Sequence, residues 1–82
     1  MRLRVDLRQQ EDGWWEARCQ AIQGLRAEGE TIGETLDYLQ DAARMIYELC
    51  EEKGLTFVAS HPEVTLKDVV WQIEIPYGLK VA

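Results

Sequence analysis

Eighty-two residues are enough for one domain, and a chain of this size buries only about 60 to 65% of the surface its unfolded form exposes, so its core is thin. Fifteen acidic against nine basic side chains give a net charge of −6, which repels a phosphate backbone, so no direct nucleic-acid partner is expected. No run of 18 apolar residues occurs and no signal-peptide-like run follows "MRLRV", so neither membrane association nor export is expected, and the expected location is cytoplasmic.

"RLRVDLR" alternates strictly, with Leu3, Val5 and Leu7 on one side and Arg2, Arg4, Asp6 and Arg8 on the other, the pattern of a half-buried strand. The Asp-Gly pair in "QQEDG" signals a turn, after which "WWEARCQA" places Trp15, Ala17, Cys19 and Ala21 on one face and Trp14, Glu16, Arg18 and Gln20 on the other. Pairing the two as a hairpin brings Arg4 or Arg8 to Glu16 across the outer face. Gly24 makes the next corner, and "LRAEGE" alternates again, completing a three-stranded antiparallel meander.

From Ile32 the period changes. Apolar residues at 32, 36, 39, 43, 46 and 50 are spaced by fours and threes, as on an amphipathic helix. "GETIGETL" sits at the switch, and its glycines carry neither a phosphate-loop pattern nor a lysine. Thr31 and Glu34 instead form the reciprocal capping box Thr-x-x-Glu, with Glu34 in the first turn where the helix dipole favours it. Gly54 is the expected terminator after Lys53. Glu34, Asp37, Asp41, Arg44, Glu48, Glu51 and Glu52 share one face, while Tyr38, Ala42, Met45 and Leu49 form a second apolar stripe beside the first. So wide an apolar surface calls either for cover by the C-terminal segment or for another subunit.

"LTFVASHPEV" reads as a loop with a short extended piece at Phe57 and Val58. "KDVVWQIEIP" then alternates as a fourth strand, with Val69, Trp71, Ile73 and Ile75 on one side, ended by Pro76 and placed at a sheet edge. The fold class is therefore α+β, in the order βββαβ: a three-stranded antiparallel meander, one amphipathic helix and one further strand.

The residues offer little for catalysis. His61 lies in the loop "SHPE", no nucleophile motif is present, and the helix carboxylates describe a solvated stripe, so no catalytic residue, metal site or cofactor is expected. Cys19 and Cys50 lack metal-ligand spacing and are expected to be buried, reduced thiols. Trp15 and Trp71 fall on apolar sides and read as core. Trp14 shares a face with Glu16 and Arg18, where a large ring either marks an interface or is a harmless surface aromatic. The acidic helix face either keeps the domain dissolved or docks a basic protein.

The stretch "DGWWEARCQAIQGLRAEGETIGETLDYLQDAARMIYELCEE" resembles the HicB-like antitoxin family, including its small solitary relatives. The resemblance covers roughly residues 1 to 53, and loosely the last strand. It is carried by Gly13, Trp14, Trp15 and Ala17 opening the second strand, by Gly24, and by Gly29-x-Thr31-x-x-Glu34 running into the helix. Where the family usually has a Pro-x-Leu-Pro-Gly-Cys type corner, this chain has "QAIQGL", without proline and with Leu25 where cysteine is common. The resemblance implies a partial ribonuclease H-like domain over 1–82 without that fold's catalytic carboxylates, and a small, basic, messenger-RNA-cleaving toxin as the partner it neutralises by occlusion. A separate DNA-binding domain, which family members often carry, is not expected here.

The expected partner surface is either the acidic helix face (Asp37, Asp41 and Glu48) or the exposed sheet face around Trp14, which also carries Arg18. Tyr38, Met45, Leu49 and Trp71 are expected to join subunits into a homodimer or a dimer of dimers. The competing expectation is a homo-oligomeric small-ligand or regulatory sensor domain, with its pocket between helix and sheet and no toxin partner.

Overall fold

The computed structural model describes residues 1–75, in which one helix lies on one face of a four-stranded mixed sheet. β1 (Arg2–Gln9), β2 (Trp15–Arg18) and β3 (Arg26–Gly29) form the antiparallel meander; α1 (Ile32–Lys53) follows, and β4 (Val70–Glu74) closes the order β3-β2-β1-β4, parallel to β1. The α+β class and the βββαβ order are those expected from the alternation and its switch to helical period. Pro76, the expected end of β4, lies outside the described residues.

Register fixes which side chains share a face. Leu7, Ala17 and Ala27 stand in one cross-strand row beneath the helix, and Trp15 and Gly29 in the next. The small Ala17, Ala27 and Gly29 let α1 settle onto β2 and β3, where Leu39 and Ala43 are almost wholly enclosed. Leu3 and Val5 pair with Trp71 and Ile73 of β4 and complete the core with Ile22, Leu25, Phe57 and Val58. Trp15 is buried as expected, whereas Trp71, towards the sheet edge, is only half-buried.

The start of the helix shows why the chain changes period at Gly29. Thr31 Oγ1 accepts from the Glu34 amide at 3.1 Å, the expected cap. The returning bond differs from the reciprocal box: Glu34 Oε2 accepts from the Glu30 amide at 3.3 Å, one residue earlier than Thr31, while Oε1 accepts from the Tyr38 hydroxyl. Thr35, fully buried, donates its hydroxyl to the Thr31 carbonyl at 2.7 Å. Gly54 ends the helix in the left-handed region (φ 69°), with its own amide on Glu51 O and that of Leu55 on Cys50 O at 2.8 Å, so that two of the last carbonyls find donors. Replacing Thr31 with Ala removes the cap acceptor and should lower stability by about 0.5 to 2 kcal/mol in urea unfolding followed by circular dichroism.

Three local expectations are corrected. β2 stops at Arg18, not Ala21: the chain folds into turns closed by Ile22 N–H to Cys19 O and Leu25 N–H to Ile22 O, which bury Ile22 and leave Ala21 exposed. Leu25 is a buried turn residue rather than the start of β3. Phe57 and Val58 are buried in a bend, not in an extended piece, with Phe57 meeting the Tyr47 ring edge-on at 5.3 Å. Apolarity there signals burial; strand formation would also need a neighbouring edge to pair with.

A 3₁₀ turn at Leu66–Asp68 leads into β4, and no periodicity announced it. Thr65 donates from its amide and hydroxyl to Asp68 Oδ2 at 3.3 and 2.9 Å, which holds the Asp68 carboxyl below its ordinary range. That support is present above the ordinary carboxylate pKa and is lost as pH falls through the lowered folded value.

Candidate interaction surfaces

α1 carries two outward bands. The acidic band holds Asp37, Asp41, Glu48, Glu51 and Glu52, all exposed, with Arg44 among them. Beside it Tyr38, Met45 and Leu49 are 47%, 68% and 48% exposed, so the described residues leave the second apolar stripe largely in water. Tyr38 is not loose. Its hydroxyl donates to Glu34 Oε1 at 2.7 Å, and this bond to a carboxylate keeps the phenol protonated above its usual range. At its C-terminal end the stripe runs into a groove lined by Gln23, Gly24, Ile46, Leu49, Leu55 and Phe57.

The helix-free face of the sheet is built differently. Glu16, expected to be a surface residue, is 5% exposed at its centre. Arg18 Nε lies 2.8 Å from Glu16 Oε1, Arg8 Nη2 lies 3.8 Å from the same oxygen, and Arg26 Nη2 reaches Oε2 at 3.1 Å while also meeting Glu28. Gln10 Nε2 adds a bond at 3.4 Å. The register explains the cluster, since Arg8, Glu16 and Glu28 form one row and Asp6, Arg18 and Arg26 the next. Of the two expected partners of Glu16, Arg8 is found there, and Arg4 pairs with Asp6 at 3.0 Å instead. Alternation predicted the face of Glu16; its burial needed Arg26 from a third strand.

Charge is therefore divided between the two sides of the molecule. The open sheet face carries five arginines (Arg2, Arg4, Arg8, Arg18, Arg26) against Asp6, Glu16, Glu28 and Glu74, a net of +1 in a chain of net −6. The acidic excess lies on the helix and the loops.

The two alternatives for the partner surface lie on opposite sides of the molecule. Arg18 is on the open sheet face, and Trp14, 42% exposed just before β2, alternates with the buried Trp15. Asp37, Asp41 and Glu48 are on the helix that covers the other face, so the five expected partner residues form two surfaces. Trp71 is likewise apart from Tyr38, Met45 and Leu49. The 3₁₀ turn that leads to β4 lies along Arg44, Tyr47, Glu48 and Glu51, whereas Leu49 borders Gln23 and Gly24 on the other flank of the helix.

Of the groups considered for chemistry, His61 is in an exposed loop with Nδ1 3.6 Å from Glu63 Oε1. Among the described residues no three His, Cys, Asp or Glu side chains gather where a metal could sit. Between helix and sheet, where a sensor's pocket was expected, Val5, Ala17, Leu39 and Ala43 are packed to at most 1% exposure. No helix of the described residues is long and apolar enough to cross a membrane.

Both cysteines are free: Cys19 is buried, and half-buried Cys50 lies with Sγ 3.6 Å from the Thr56 carbonyl. Burial pushes the Cys19 thiol above its usual pKa and disfavours the reactive thiolate. An aromatic disulfide reagent should therefore modify Cys50 first, and Cys19 only as the fold opens. Equal rates for the two, read by mass spectrometry, would contradict this burial.

Comparison of the chain with known protein families, with curated proteins and with solved structures found no match.

Proposed function

We propose that the chain is a protein-binding module of the antitoxin type represented by the HicB-like family, which silences a small basic messenger-RNA-cleaving toxin by covering it. The observation that carries this reading is the helix flank: an exposed apolar stripe bordered by a band of five exposed carboxylates on a 22-residue helix. Apolar area supplies affinity, and the negative band attracts and orients a positively charged partner. The βββαβ order agrees with what the resemblance implies for such a module.

The test is co-expression with a small basic reading frame adjacent to its own. A complex that survives physiological salt and suppresses RNA cleavage by the partner is expected. Trp14→Ala combined with charge reversal at Asp41 and Glu48 alters both surfaces and should weaken that capture about tenfold or more. A basic neighbour that cleaves RNA equally well in the presence of excess chain would remove the antitoxin reading.

A further inference from the structure

The exposed flank of α1 has a definite shape. Tyr38, Ala42, Met45 and Leu49 are separated by four, three and four residues, a spacing that reads the same in both directions. Two antiparallel copies of the helix could therefore oppose their stripes, Tyr38 against Leu49 and Ala42 against Met45 of the second copy. The charges oppose such pairing. At about 100° per residue, Glu34, Asp41, Glu48 and Glu52 all fall on one margin of the stripe, while the other margin descends into the core. A twofold axis normal to the plane of two side-by-side helices keeps that margin on the same side in both copies. Glu34 would then adjoin Glu52 of the second copy, and Asp41 its Glu48, each twice.

We propose that this flank is the docking site for an amphipathic helix of a different protein, one whose apolar stripe is bordered on one side by lysine or arginine. Such a helix places its apolar residues on Tyr38, Met45 and Leu49 and its cations on Asp41, Glu48 and Glu52. The groove between Leu55 and Gly24 takes a bulky side chain at one end. This inference rests on the protein-binding reading above and specifies its surface and the form of its partner. It assigns the stripe to a foreign helix in place of the subunit contact expected from sequence.

The test uses the intact chain and three fluorescent peptides of about five helical turns: leucines at the matching spacing with a lysine margin, the same leucines with a glutamate margin, and a scramble of the lysine peptide. The lysine peptide should bind saturably, the other two at least tenfold more weakly. Met45→Lys and Asp41→Lys/Glu48→Lys should each reduce binding about tenfold or more. Both alter exposed positions, so unfolding midpoints near the parent's should accompany the loss. Sedimentation of the chain alone should show no dimer that depends on Met45.

Equal binding of the scramble, no binding of the lysine peptide, or a dimer dissolved by Met45→Lys would each overturn the assignment. The wider reading fails separately. Should Met45→Lys leave capture of a basic partner intact, this flank is wrong and the binding module stands; should no basic neighbour be captured while the lysine peptide binds here, the reverse holds.

Discussion

Gly29→Ala should lower the thermal midpoint by roughly 5 to 15 °C, while Gly33→Ala, four residues on in the same "GETIGETL" stretch, should leave it unchanged or raise it. A Cβ built at Gly29 comes within 2.7 Å of Thr35 Oγ1 and 2.9 Å of Thr35 N, closer than real Cβ atoms approach anything. Neither neighbour can yield cheaply. The Thr35 amide and hydroxyl both donate to the Thr31 carbonyl, at 3.0 and 2.7 Å, inside the first turn of the helix. Relieving the collision means lifting α1 from the end of β3 or breaking that turn, and overpacking of this kind costs about 1 to 3 kcal/mol, sometimes more.

The opposing term is smaller. Gly29 does not occupy the left-handed region, so alanine would restrict the unfolded chain and contribute about 0.4 to 1 kcal/mol in its favour. Collision outweighs entropy at Gly29. At Gly33 the added methyl meets nothing within 4 Å, and only the propensity gain of up to about 1 kcal/mol remains. The pair is best measured by thermal and urea unfolding side by side. A Gly29→Ala variant as stable as the parent would show that β3 and α1 are not in contact as described.

Replacing Glu16 with Gln should cost about 1 to 3 kcal/mol, more than an ordinary surface substitution. The carboxylate is nearly enclosed and faces three guanidinium groups, whereas the amide offers one acceptor and turns a donor toward cations. The loss stays below that of a fully buried pair because Arg8, Arg18 and Arg26 are each more than half exposed and water takes over part of their solvation. Salt provides a second check. At 1 M ionic strength, with a screening length of about 3 Å, the gap between parent and variant should narrow without closing. An identical urea midpoint for parent and Glu16→Gln would mean that the cluster contributes nothing and that the strands register by their apolar faces alone.

The two sites differ in how far they could be read from residues. The helix bands were legible because Tyr38, Met45, Asp41 and Glu48 are placed by one period within one element, and their exposure requires only that no other element cover them. Thr31 and Gly54 were legible for the same reason, since capping is a contact between near neighbours in sequence. The Glu16 cluster was half legible: pairing of β1 with β2 put Arg8 opposite, but Arg26 arrives through a third strand whose register depends on the turns around Ile22 and Leu25. Gly24 marks a corner there, but nothing in the residues tells that two successive turns, closed at Cys19 and at Ile22, make it.

Sequence by itself thus determined the α+β class, the switch from strand to helix at Thr31, the helix end at Gly54 and the two-banded helix, all consequences of alternation, period and capping over a few residues. Only the tertiary structure decided that β4 lies parallel to β1, that Gly29 is wedged against Thr35, that Glu16 is buried among arginines, and that Trp14 and Arg18 face away from Asp41 and Glu48. β4 and Arg26 reach their partners from segments distant in sequence, Gly29 meets Thr35 because the helix packs back onto the end of β3, and the two surfaces are set apart by how sheet and helix pack; no local pattern encodes these placements.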